Sequence, residues 1–257
     1  MALTLVPAAS RGQVLTPRAP DGLTVMFTGS RGGVGTTALA VSVATGLAER
    51  PSTRVLFVDA SPSQTAACDL ASSISANWPG LRVVAVPAGA IGRDEAGFED
   101  AAWWEEQDRL DFIVIDAGPA SLARDPEAGE VDLRVIVDDG SVPGVVATRK
   151  LLRRLEQQGL EPDRRLVVVN RRLSTFLGAL RARDITRELR QAPACWLTPD
   201  AGMARLGGEV APTWRVSSNS TAVGHLTRQI VGAAFAAASR RSPVMPAPAV
   251  TAERRPA

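Results

Sequence analysis

Three observations on this 257-residue chain predict an α/β fold built on a single doubly wound, mostly parallel sheet with helices on both faces. Short apolar runs of strand length alternate with segments of helical length. The first of these runs passes directly into a glycine-rich turn and then a helix. The runs are aliphatic: aromatic residues make up only 4% of the chain and tyrosine is absent, so the core is expected to be built from Val, Leu, Ile and Ala. Alternation of this kind brings the strands together through helical crossovers, with a ligand site at the carboxyl ends of the strands.

In chain order, residues 1–22 are rich in Pro, Ala, Ser and Arg without periodicity and read as a flexible tail. Residues 23–240 form the expected domain, and 241–257 a second tail rich in Pro, Ala and Arg. Leu23–Thr28 is the first buried-strand run, followed by a helix over Thr37–Glu49. Arg54–Asp59, Leu81–Val86 and Asp111–Asp116 are further strand candidates, and Leu133–Val137 precedes a helix over Gly144–Gln158. Leu166–Asn170 leads to a helix over Thr175–Gln191, and Cys195–Leu197 to a final helix over Thr221–Arg240, in which His225 is expected to be packed.

Composition narrows the function classes. With 45% apolar and 22% charged residues the chain is globular rather than disordered. Its net charge of +2 is too small to bind nucleic acid through bulk electrostatics, so an anionic partner must be met locally. Two cysteines, Cys68 and Cys195, and one histidine exclude a disulfide framework and a structural zinc site, and point to a reducing cytoplasm. The first residues lack the basic start and apolar stretch of a secretory signal. No window approaches the roughly 18 uninterrupted apolar residues of a membrane span, so a soluble cytoplasmic protein is expected.

Charge is segregated along the chain. Residues 90–140 carry 15 acidic and 4 basic side chains, and 149–190 carry 12 basic and 5 acidic ones. Within the basic stretch Arg149 and Arg153, and Lys150 and Arg154, are spaced four apart on one helix, while Arg183, Arg187 and Arg190 recur on another. Lys150 is the single lysine. The stretch reads either as a solvated helical face or as a surface for DNA phosphates or an acidic partner. Trp103-Trp104, in the acidic stretch, reads as a pair of buried anchors or as an exposed contact.

The strongest signal is the passage from Leu23–Thr28 into Gly29-Ser30-Arg31-Gly32-Gly33-Val34-Gly35-Thr36-Thr37 and a helix. Glycines let backbone N–H groups turn inward toward an anion, and the helix adds the positive end of its dipole. From these residues the chain resembles the MinD/ParA family of deviant Walker-A ATPases, P-loop NTPase-like proteins whose loop reads KGGVGKTT. Arg31 stands where that family keeps its signature lysine, Thr36 where the phosphate-gripping lysine belongs, and Thr37 at the hydroxyl that ligates magnesium. The resemblance continues through Val55-Leu56-Phe57-Val58-Asp59-Ala60-Ser61-Pro62 and through Phe112–Asp116, which looks like the Walker-B strand. Val167-Val168-Val169-Asn170-Arg171 resembles the strand end whose asparagine reads adenine, and Leu197-Thr198-Pro199-Asp200 the family's IPxD turn. It implies ATP held by Arg31, Gly32, Gly33, Val34, Gly35, Thr36, Thr37, Asn170 and Pro199, and Mg2+ at Thr37 with Asp59 and Asp116. Taken on their residues alone, Asp116 also fits a carboxylate capping the loop after a buried strand, and Asn170 a turn-forming asparagine.

Two departures bear on activity. Ser61 occupies the place of the aspartate that positions the attacking water in the family, and serine cannot serve as a carboxylate base. Thr36 removes the cation at the phosphates, where hydrogen bonds to charge are worth roughly 1.5–3 kcal/mol each. ATP binding is therefore expected to be weak or vestigial and hydrolysis negligible. Arg31 is a partial substitute that resembles a residue reaching across a nucleotide-dependent homodimer. The resemblance leaves three functions. One is a nucleotide-binding or pseudo-ATPase scaffold of the CpaE/TadZ type that positions a bacterial secretion or pilus machinery, alongside its secretion ATPase or an acidic partner, at a pole or membrane-associated machine. The second is an active ParA-like partition ATPase on nucleoid DNA, and the third a MinD- or FlhG-like membrane-cycling ATPase. The first tolerates both departures.

Overall fold

Each aliphatic run forms a strand because its branched side chains are buried on both faces of a parallel sheet, where an uninterrupted apolar run is favoured over alternation. The computed structural model describes residues 22–62, 78–86, 110–120, 131–171, 179–199 and 219–240. Expectations for Cys68, Trp103-Trp104, Asp200 and nearly all of the two tails lie outside the described residues. The strands are β1 (Leu23–Gly29), β2 (Val55–Asp59), β3 (Leu81–Ala85), β4 (Phe112–Pro119), β5 (Leu133–Asp138), β6 (Arg165–Asn170) and β7 (Cys195–Leu197). They form one sheet in the order β3-β2-β4-β1-β5-β6-β7. Every strand pair in it is parallel. The chain works outward from β1 on one side, returns through β4, and continues on the other side from β5, so the switch point of the topology lies at the carboxyl end of β1.

Helices α1 (Thr36–Ala48), α2 (Val142–Gln157), α3 (Ala182–Leu189) and α4 (Ser220–Arg240) flank the sheet. On one face Val25, Phe27, Phe57, Val114 and Val135 pack against Leu39, Val43 and Leu47 of α1 and Val223, Leu226 and Ile230 of α4. On the other, Ile136, Val167 and Val169 meet Val145, Leu151 and Leu155 of α2 and Ile185 and Leu189 of α3. The expected doubly wound architecture is present. Among the described residues no helix is long and apolar enough to cross a membrane.

Three expectations need correction. Helix α2 starts at Val142 rather than Gly144, because Ser141 accepts a hydrogen bond from the Gly144 N–H at 3.1 Å and Pro143 sits in the first turn. Of the helix read over Thr175–Gln191, residues 175–178 lie outside the described residues, Ala179 is drawn into an antiparallel bridge with Ser141, and the helix runs over Ala182–Leu189, closed by Arg190 in a left-handed conformation at φ 55°. His225 lies on α4 but faces solvent, because Val223, Leu226 and Ile230 define the buried stripe and it falls off that stripe.

The junction of β1 and α1 is tightly packed. A Cβ at Gly29 would lie 2.5 Å from Thr36 Oγ1 and 2.9 Å from the Arg31 carbonyl, whereas one at Gly32 meets nothing within 4 Å. Gly29→Ala is therefore expected to destabilise the protein by about 1–3 kcal/mol, and Gly32→Ala by less than about 0.5 kcal/mol. Urea denaturation of the two variants tests this, and equal midpoints would contradict the packing described.

Candidate functional site

Six residues join β1 to α1, and the backbone they need is one that glycine supplies: φ is 75° at Gly33 and 90° at Gly35. Arg31, Gly32 and Gly33 are exposed, while Val34 is buried and anchors the loop to the core. Helix α1 begins without a side-chain cap, so its first N–H groups face the loop at the positive end of the helix dipole. This cradle fits a phosphate. Thr36 brings no cation to it: its side chain is buried and its hydroxyl packs over Gly29.

The loop is tied to the far side of the sheet by Asn170, at the end of β6. Its Nδ2 donates to the Val34 carbonyl at 2.9 Å, and the same atom occupies the space that a Cβ on Gly35 would need. Asn170 thus touches the loop directly, which goes beyond a turn-forming role.

On the other side, Asp59, the last residue of β2, is the register partner of Asp116 within β4, and both are fully buried. Asp59 Oδ1 accepts from the Ser61 N–H at 3.0 Å and the Ser61 hydroxyl at 2.6 Å, so Ser61 turns back onto Asp59. Asp116 Oδ1 accepts from the Gly118 N–H at 3.0 Å, the capping arrangement considered for it, while Oδ2 is buried without a partner. Burial raises the Asp116 carboxyl to about 6; the nearby Thr37 hydroxyl and the Gly118 N–H pull it down, and the Asp59 charge pushes it up. A partnerless carboxylate oxygen, a second carboxylate and the Thr37 hydroxyl are the donors a hard divalent cation takes, so the residues fit Mg2+. Among the described residues no cluster of three His, Cys, Asp or Glu could hold a metal alone. Phosphate oxygens would have to complete the coordination.

A further acidic pair was not singled out from the sequence. Asp138 ends β5 beside the loop and Asp139 follows it; Asp138 accepts from the Gly140 N–H at 2.6 Å and from the Thr148 hydroxyl. Burial raises Asp138. Burial acts on Asp139 in the same direction, but hydrogen bonds from Ser141 and Arg31 outweigh it and hold its carboxyl below the usual range. The Arg31 guanidinium reaches back from the exposed loop to the fully buried Asp139. The Asp-Asp-Gly-Ser run before Pro143 was the available signal, since aspartate, glycine and serine together mark a turn and a helix start.

At the other rim, Pro199 follows β7 and is half-buried, next to the exposed Thr198. The basic stretch is spread over α2 and α3, where Lys150, Arg153 and Arg154 are exposed. Arg149 pairs with Glu188 of α3 at 3.0 Å. Arg187 pairs with Asp184 at 3.2 Å.

Between pH 3.8, the ordinary value for the group, and about 6, folded Asp116 holds a proton that the unfolded chain releases. Stability attributable to this group therefore falls as pH rises through that window, and the loss is complete above it. In chelator-treated protein, Asp116→Asn is expected to gain about 2–3 kcal/mol over the wild type at pH 7.5 and much less at pH 4.5, read by urea unfolding. A difference between the two proteins that does not change with pH would refute the assignment.

No protein-family model and no curated protein matches this sequence. Solved structures do resemble it. A ParA family ATPase from Chlorobium tepidum TLS superposes with a TM-score of 0.54 at 18% identity, covering 83% of this chain and 98% of that one. The MinD cell division protein of Aquifex aeolicus superposes with a TM-score of 0.61 at 17% identity, covering 82% and 98%. Apo McdA from Cyanthece gives 0.56 at 16% identity, covering 82% and 99%. Over four fifths of its length, the chain has the fold of the MinD and ParA ATPases.

Proposed function

We propose that this protein is a nucleotide-binding scaffold of the MinD/ParA type in which hydrolysis has been lost. The observation that carries the reading is the chemistry of two positions: Thr36, a neutral side chain, packs over Gly29, and Ser61 folds onto Asp59. Backbone N–H groups from Gly32 to Thr37 hold the phosphates, while Thr37, Asp59 and Asp116 serve the magnesium. Magnesium held there would neutralise phosphate charge. Phosphoryl transfer to water needs a cation on the transferred group and an oriented nucleophile at once, and this chain presents neither a lysine nor a free carboxylate in those places. Nucleotide then acts by favouring an assembled state, and the scaffold positions a secretion or pilus machinery of the Tad type. Partition on DNA is less well supported, because it needs hydrolysis for release and because Arg149 is engaged by Glu188. A membrane-cycling ATPase is disfavoured for the first of those reasons.

Calorimetry with ATP and Mg2+ is expected to give a dissociation constant in the high micromolar range or weaker, with no sustained phosphate release. Thr36→Lys is expected to tighten binding roughly ten- to hundredfold. Submicromolar binding by the wild type, or turnover lost on Asp116→Ala, would overturn the reading.

Arg31 gives the proposed homodimer a second test. Held by Asp139 it serves its own chain, and released it is long enough to reach a partner's phosphates with a bidentate fork. Asp139→Asn keeps an acceptor for Ser141 but weakens the hold on Arg31, so ATP-dependent dimerisation in sedimentation experiments should increase. Arg31→Ala should abolish it. Identical sedimentation of both variants and the wild type would remove Arg31 from the interface.

A further inference from the structure

The turn after β7 is exposed yet built from below by a buried side chain. Thr198 faces solvent, whereas Asn219, the residue before α4, is 2% exposed. Asn219 Oδ1 accepts from the Thr198 N–H at 2.8 Å and from the Thr198 hydroxyl at 3.1 Å, and its Nδ2 donates to the Thr198 carbonyl at 2.8 Å. Among the described strands β7 is the sheet edge, and the Asn219 amide gives Thr198 the donor and acceptor that a neighbouring strand would have supplied. Asn219 is itself fixed, because its carbonyl accepts from the Val223 N–H at 2.8 Å and Val223 lies in the core.

This turn connects to the glycine loop through one short path. Leu197 is the register partner of Asn170, the Leu197 carbonyl accepts from the Arg171 N–H at 3.0 Å, and Asn170 holds the Val34 carbonyl. The two flanks of the loop differ in chemistry. The β2–β4 flank carries the buried carboxylates Asp59 and Asp116, suited to a cation. On the β6–β7 flank the Asn170 Nδ2 already serves Val34 and the Thr198 N–H already serves Asn219, so what this flank offers is the half-buried apolar ring of Pro199. An uncharged apolar surface held in a fixed place is what the face of a purine requires.

We infer that Asn219 is a positioning residue for the base end of the nucleotide: it fixes the Thr198-Pro199 turn as the wall the purine meets, while the glycine loop takes the phosphates. The inference rests on the nucleotide-binding reading above. A purely structural Asn219 would affect every ligand alike, whereas a residue that positions the base wall affects only ligands that have a base.

The test compares ATP with inorganic tripolyphosphate, both titrated by calorimetry into the full chain at equal Mg2+. Wild type is expected to bind ATP more tightly than tripolyphosphate. Asn219→Ala should weaken ATP about tenfold while leaving tripolyphosphate within about twofold. Thr198→Ala, which keeps both backbone bonds to Asn219, should leave ATP within about twofold. If Asn219→Ala does not fold, Asn219→Asp keeps the acceptor for the Thr198 N–H and should show the same selectivity with a smaller loss. Equal loss of both ligands, or no loss of ATP affinity, overturns the inference, as does a wild type that binds ATP no better than tripolyphosphate, although that last result leaves the phosphate loop intact. Failure of the wild type to bind either ligand removes the nucleotide reading and this inference together.

Discussion

Asp59, Asp116, Asp138 and Asp139 lie in or next to the carboxyl-terminal halves of three strands of the sheet, and each accepts the N–H two residues further on. Four carboxylates buried at one edge of a sheet are costly unless every lone pair is used, since an isolated ion in a protein interior loses its hydration without replacement. This constraint orders the rest of the site. Ser61, Gly118, Gly140 and Ser141 are the residues on which those bonds are spent, Thr148 and Arg31 are recruited to the two acids of β5, and the oxygen left over is Asp116 Oδ2. The polar edge in turn depends on the apolar sheet behind it, because strands buried on both faces leave only their ends for polar chemistry.

The same constraint separates two kinds of acidic group. Around Asp139 hydrogen bonding and a nearby guanidinium prevail over burial, and the charge is at home. Around Asp116 burial prevails, and the charge is not. A group of the second kind is the one expected to gain from an incoming cation, so the electrostatics of the protein and the donor set at Thr37 point to the same position.

What could be read from the sequence was local. The passage from β1 through the glycines into α1 is contiguous, so strand pattern, turn chemistry and helix start reinforce one another within fifteen residues or so. The turn of Ser61 onto Asp59 spans two residues, and the exposure of His225 follows from the spacing of Val223, Leu226 and Ile230; both were legible, the second only once the helix phase is worked out. The boundaries of α3 were not, because what ends the helical reading upstream is the bridge between Ala179 and Ser141, a contact across 38 residues. Arg31 with Asp139, 108 residues apart, and Asn219 with Thr198, 21 apart, are likewise products of topology, and no periodicity encodes them.

The ion pair between Arg31 and Asp139 also sets a thermodynamic threshold. A loop whose one cation is engaged by its own domain must release that cation before it can meet a ligand. Apparent affinity for an anion that needs the released arginine is lowered by the fraction of molecules in that state. Ionic strength then acts twice and in opposite directions, loosening the internal pair and screening the incoming anion. Because Asp139 is fully buried while Arg31 is partly in solvent, screening reaches the anion more easily than the pair, so the internal pair persists at salt concentrations that already weaken the ligand.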